Sequence, residues 1–287
     1  ARRHLPPAAT QVKLGDISQA LGVGVALASR AGGALEVRHF GFSVLQFLVS
    51  QRWREVGVPE QQQLAATALQ LLKSVAAEGA AAVPYAVRCK AAVLVADLAQ
   101  VEGEGALRWL MPEVFQLGEG GGAAGAEAAA LVLRWLPEEA ASNGEMSAQG
   151  RRGLLGSLLE VVSQILPFLY RLLEAHYSQA VASAQRGDAA AAEEHGAVVT
   201  AVLEATCALA EWAPVVTIVG SGILHACSHL LSAEQFQIGA CDVLKQLASR
   251  KQGAEKPEPY REAMQLVLES LMAAAGRLLE VEYAALG

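Results

Sequence analysis

Cysteine is scarce, with four in 287 residues, and Cys89, Cys207, Cys227 and Cys241 show no C-x-x-C spacing. That excludes a disulfide scaffold and a zinc ribbon. Each cysteine lies within or beside an apolar stripe, which predicts reduced core thiols of a cytosolic or nuclear protein. Aromatic residues make up only 5% and charged residues 18%. Basic residues are outnumbered, 22 Lys and Arg against 29 Asp and Glu, for a net charge of −7. A chain of that balance does not coat bare phosphate backbone on its own. The small basic clusters Arg2-Arg3, Arg52 with Arg54, Arg151-Arg152 and Arg250-Lys251 read as solvated helix ends.

Chemistry-bearing motifs are missing as well. There is no Gly-x-Ser-x-Gly elbow, no His-Glu-x-x-His and no Gly-Lys-Ser/Thr phosphate loop. The acidic pairs Glu138-Glu139 and Glu193-Glu194 fall in connectors, where a charged face is the default. Gly120-x-Gly122-x-x-Gly125 has dinucleotide-loop spacing, but no strand feeds it, so Gly118–Gly125 is predicted to be a flexible linker between helices. His225-x-Cys227-x-His229 places two histidines on one helix face with Cys227 on the other, which predicts surface histidines rather than a closed zinc site. No catalytic, cofactor or metal residue is predicted, and the chain is read as a non-enzyme.

What the chain has is apolar content, 53% by residue, much of it alanine. Alanine favours helix and allows close helix packing. Residues 1–35, with Pro6-Pro7, Gly15, Gly22 and Gly24, are weakly patterned and predict a tail or a frayed helix around Gln11–Ala31. From Glu36 onward, apolar residues recur at helical spacing: Val37, Phe40, Val44, Leu45 and Leu48 in one segment, Leu64, Ala68, Leu71, Leu72 and Val75 in the next. Pro59, Pro84 and Pro214 mark helix starts, and Gly79 marks a stop. Residues 36–136 and 151–287 read as helix pairs joined by a linker at 137–150. Arg151–Ser183 is the longest pattern, with a kink or split expected at Pro167, followed by a connector at Gln185–His195.

The stretch 198–251 reads as three helices with very short turns. Ser232, Gln235, Leu231 and Phe236 form the signature of a capping box and hydrophobic staple on the last of them. The uncharged run Trp212–Ala233 is long enough to span a bilayer, yet it contains Pro214, Gly220, Gly222, His225 and His229 and its apolar residues keep to one face; no membrane span is predicted. With no convincing strand, the count is about eleven helices in five or six pairs of about 40 residues, the HEAT period. The fold class is all-α: an α-solenoid of antiparallel helix pairs, HEAT- or armadillo-like, because two such helices bury their stripes only against further pairs.

The run Val37-Arg38-His39-Phe40-Gly41, continuing to Arg52-Trp53, resembles the second repeat of importin-beta-type nuclear export receptors of the exportin-five/HASTY-like group. The resemblance continues in Leu209-Ala210-Glu211-Trp212, Glu234 to Cys241 and Ser249-Arg250-Lys251, and covers residues 35–285. It departs at Gly105–Pro112, where one Trp and one Pro stand for the family's Trp-Pro-x-x-Trp-Pro segment. Ala1 in place of Met, and the length, suggest the N-terminal arch of a longer receptor. The resemblance implies a shuttling protein of nucleus and cytoplasm that binds Ran-GTP through its N-terminal repeats. The whole receptor would carry small structured RNA (microRNA precursors) or protein cargo and meet nucleoporins. In such receptors the second helices of successive pairs line the concave side. The Glu36–Trp53 helix looks like one, with Arg38, Gln46, Ser50 and Arg52 expected on its open, Ran-facing side. The alternative is a generic HEAT or armadillo scaffold with no tie to Ran.

Overall fold

Glycine and proline set most of the helix boundaries in a computed structural model that describes residues 17–32, 34–142 and 148–285. The chain divides into two units at Leu154/Leu155. In the first lie α1 (Ile17–Ala28), α2 (Leu35–Arg52), α3 (Val58–Glu78), α4 (Tyr85–Glu102), α5 (Ala106–Gly120) and α6 (Gly122–Ser142). No strand occurs among the described residues. The fold class is the expected one, an all-α arrangement of solenoid-type helix pairs.

In this unit α1 packs on α2, α3 on α4 and α5 on α6, while α2, α4 and α6 also pack side by side as a layer of second helices. Pro59 sits in the first turn of α3, and Gly79, at φ +78°, closes it by donating its N–H to the Ala76 carbonyl. Gly41 makes the α1–α2 crossing possible. A Cβ there would run into the Ala28 nitrogen and lie 2.8 Å from the Leu27 carbonyl carbon.

Helices α4 and α6 differ from the one-stripe expectation. Every residue from Ala91 to Ala96, and from Ala128 to Leu133, is buried. The reason is position: α4 has α2, α3 and α6 around it, and a helix enclosed on several sides must be apolar all round. Pro112 does not end α5, which runs through it to Gly120.

The second unit holds most of α7 (Ala148–Gln185), then α8 (Ala189–Ala210), α9 (Val215–Gly220), α10 (Ile223–Leu230), α11 (Gln237–Ala248) and α12 (Pro257–Ala285). Helix α8 packs on α11, and α12 packs on α9, α10 and α11. Several boundaries depart from expectation. Helix α7 is not split at Pro167 but continues through it. The Gln185–His195 connector contracts to residues 186–188, because Asp188 accepts from the Ala191 N–H at 3.1 Å and caps α8. The predicted 137–150 linker is helical at both ends, and residues 143–147 lie outside the described residues, as does the 1–16 part of the predicted tail.

The run Trp212–Ala233 is not one helix. Gly222, at φ +88°, breaks it into segments of 6 and 8 residues, and a Cβ there would lie 3.1 Å from the Tyr170 ring. By length and composition alone, Arg152–Gln185 within α7 could cross a membrane, with 39% of its most apolar window buried. The capping box does not form. The Ser232 hydroxyl donates to the His229 carbonyl at 2.8 Å, and α11 begins at Gln237. Leu231 and Phe236 are nonetheless buried.

Candidate functional site

Helix α2 has α1 on one side and α4 on another, so two of its faces are closed. That corrects the expectation for two of its polar residues. Arg38, expected on an open face, is only 2% exposed. Its Nε donates to the Ala28 carbonyl at 3.0 Å, and its two terminal nitrogens fork onto Glu78 at 2.7 and 2.6 Å. One side chain thereby joins the last residue of α1, the start of α2 and the last residue of α3. A cation at a helix C-terminus is favourably placed against the dipole. Gln46, 7% exposed, is also interior. Its Oε1 accepts from Lys90 Nζ at 2.6 Å, and its amide nitrogen lies 3.5 Å from Asp97 Oδ2. Ser50 and Arg52 are half-buried, and Arg52 bonds Glu55 at 3.0 and 2.6 Å.

The Arg38–Glu78 tie has counterparts one repeat period apart. Partners stand 40 residues apart in Arg38–Glu78, 40 in Lys73–Glu113 (2.6 Å) and 39 in Arg88–Glu127 (2.9 Å). In the second unit Arg250 donates to the Ala210 carbonyl, again 40 residues away, and to the Glu211 carbonyl. Lys73–Glu113 joins the first helices α3 and α5, Arg88–Glu127 the second helices α4 and α6, and Arg38–Glu78 runs from the second helix of one pair to the first of the next, as nearest-neighbour stacking demands. Arg88 also donates to the Val83 and Ala80 carbonyls at 2.6 and 3.3 Å, fixing the α3–α4 turn to α6. Across α7 and α8, His176 Nδ1 and His195 Nδ1 share one hydrogen bond of 2.8 Å. Burial, and then the His195 charge, hold the His176 pKa below its usual value.

On the α4–α6 side of the layer, Arg134 donates to the Tyr85 hydroxyl at 3.1 Å, and its guanidinium lies 4.9 Å from the centroid of the Trp135 ring. Lys90 stands on the α2 side of α4, close enough for its charge to add to burial in lowering the His39 pKa. These groups can bind and orient a partner. Of the residues in these ties, sequence reasoning singled out only Arg38 and Gln46; for Lys73–Glu113 and Arg88–Glu127 the available signal was a cation and a carboxylate about one repeat apart.

The other motifs carry no site chemistry. Cys227 is fully buried, and burial first, then Cys207, push its thiol up to about 12, while His225 and His229 are exposed. Among the described residues no three His, Cys, Asp or Glu side chains converge as metal ligands would. The Gly118–Gly125 segment is a corner between two helices, not the loop that composition suggested. A Cβ at Gly121 or Gly125 would lie 2.6 or 2.5 Å from the Leu117 carbonyl oxygen. The turn is entered from helix α5, so the strand a dinucleotide loop requires is replaced by a helix.

Stacked helix pairs and polar ties at one repeat period define a helical-repeat protein. A family model described as exportin 1-like protein matches residues 84–244, from the start of α4 into α11. The chain is 38% identical over 224 residues to Protein HASTY 1 of Arabidopsis thaliana, covering 77% of this chain. It therefore belongs to the exportin 1-like family. It spans 18% of the length of that curated relative.

Proposed function

We propose that this chain is the N-terminal HEAT-repeat part of a nuclear export receptor of the exportin-five/HASTY-like kind, a transport receptor and not an enzyme. It binds Ran-GTP through the second-helix layer of its first repeats. The complete receptor takes small structured RNA, microRNA precursors among them, or protein cargo from nucleus to cytoplasm, meets nucleoporins on the way and shuttles between the two compartments. The observation that carries the reading is the family match across α4–α11. The acidic balance of −7 agrees with a protein partner for this segment and with RNA contacts elsewhere in the receptor.

On α2, Ser50 and Arg52 are the half-exposed residues that meet Ran, and Arg38 and Gln46 act behind them by positioning α3 and Lys90. The test is binding to Ran loaded with either nucleotide. The GTP form should bind at least tenfold tighter, about 1.4 kcal/mol. Equal binding of the two forms, or none, refutes the assignment.

A further inference from the structure

The His176–His195 contact across α7 and α8 has no part in the function proposed above, and its geometry fixes where one proton sits. Two Nδ1 atoms 2.8 Å apart share a hydrogen bond only when one carries a proton and the other is bare. The rings meet tilted at 45°, with centroids 5.0 Å apart. Their neighbours one turn away are buried and apolar: Leu172, Leu173 and Ala180 on α7, Val198 and Val199 on α8. The charged groups of these helices stand elsewhere. Glu174, Glu193 and Glu194 are exposed. Arg171 lies over Phe168, Arg186 donates to the Ser183 hydroxyl, and Glu204 is nine residues beyond His195. On the α10 side, His229 meets the Tyr177 ring edge-on at 6.0 Å between centroids and is itself exposed. Burial first, then the His195 charge, lower the His176 pKa, and among the described residues no carboxylate acts against them.

We infer that His176 and His195 form a proton-operated latch between α7 and α8, closed while their Nδ1 atoms share one proton and released when both rings are charged. In the neutral pair the donor ring has a bare Nε2. A first proton goes there, leaves the contact in place and makes it charge-assisted. A second proton has one place left, the accepting Nδ1. Taking it replaces the hydrogen bond with two opposed N–H groups on two cations. Both steps belong to the pair rather than to either ring. His176 lies nine residues before Gln185, the last residue of α7, which is about 13 Å along the helix. The 186–188 turn is fixed independently, by Gly187 at φ +79° and the Asp188 cap. Acid therefore loosens the hairpin beyond its turn, while α8 stays packed on α11. Release involves neither Ran nor cargo, so the latch and the export reading fail separately.

The experiment measures amide hydrogen-exchange protection, corrected for the intrinsic rate, along α7 and α8 of the 287-residue chain between pH 7 and pH 5. Because folding lowers the His176 pKa, the closed latch is complete above the ordinary histidine value of 6.5 and is lost as pH falls from there. Wild-type protection around His176 and His195 should fall at least tenfold over that range, with histidine-free α5 as the unchanged reference. His195→Asn and His176→Asn each leave a neutral hydrogen-bonding group opposite the remaining ring, and each should remove the fall. His225→Asn, at an exposed histidine of α10, should keep it. Should one latch variant fail to fold, the other decides. Protection that stays flat with pH in wild type overturns the latch, and so does an equal fall in whichever latch variant folds.

Discussion

Removing the carboxylate of Glu78 tests whether one buried arginine holds the first three helices in register. The Arg38 side chain is 3% exposed and the Glu78 side chain 22%. In Glu78→Ala the guanidinium keeps its bond to the Ala28 carbonyl but loses both strong acceptors. Breaking a buried pair from one side costs about 3–5 kcal/mol, because an uncompensated charge stays behind. Since Glu78 is partly open and its vacated site admits water, the expected loss is about 3 kcal/mol, at the lower end of that range. The double change Arg38→Met with Glu78→Leu removes the charge along with its partner. It should lie within about 1 kcal/mol of wild type, the residue being the Ala28 carbonyl left without its donor. The assay is native-state hydrogen exchange of amides in α1 to α3, with urea unfolding as a check that the denaturant slope is unchanged. A Glu78→Ala loss below about 1 kcal/mol, or a double variant no better than the single one, would refute the reasoning.

Gly41→Ala should cost about 1–3 kcal/mol by forcing α1 away from α2, read as a lower urea midpoint; an unchanged midpoint would mean the crossing is not close. Leu244, 2% exposed on α11, should cost about 2–5 kcal/mol when cut to alanine, and a loss under about 0.5 kcal/mol would show its face to be outside the core. The His176 pKa is lowered by folding, so its contribution is fully present above the ordinary histidine value of 6.5 and is lost as pH falls from there towards the folded value. Thermal melts should therefore drop between pH 7 and pH 5 in wild type and drop less in His176→Gln; parallel pH profiles for the two would sink the idea.

Helix existence was legible because apolar spacing and the punctuation at Pro59, Gly79, Pro84 and Pro214 are local signals, and the structure puts boundaries beside each of them. What failed was non-local. Arg38 and Gln46 stand among apolar residues as any solvated polar face would, and their partners lie 40 and 44 residues away. No pattern inside one helix reports whether a second and third helix cover it. Alanine-rich α4 and α6 hid the all-round burial of Ala91–Ala96 and Ala128–Leu133 for the same reason, since small residues on every side leave little contrast between faces. The break at Gly222 was equally obscure. A glycine inside an uncharged run reads as a weak helix position, and nothing local reports that it takes positive φ or that the Tyr170 ring lies against the place a Cβ would fill.

Apolar stripes alone would let neighbouring pairs slide, because hydrophobic contact is non-directional and one buried leucine replaces another at little cost. The polar ties remove that freedom. Helix α4 is bonded to α2 through Lys90 and Gln46 and to α6 through Arg88 and Glu127, the latter pair 12% and 4% exposed. Sliding α4 by one turn against α6 would strand a buried charge, a penalty of several kcal/mol, and sliding it against α2 would break the Lys90–Gln46 contact. The register of the second-helix layer is therefore set by ionic and amide contacts, although its cohesion is apolar. The same register brings the Tyr85 hydroxyl to Arg134 and the Gln46 amide to Lys90.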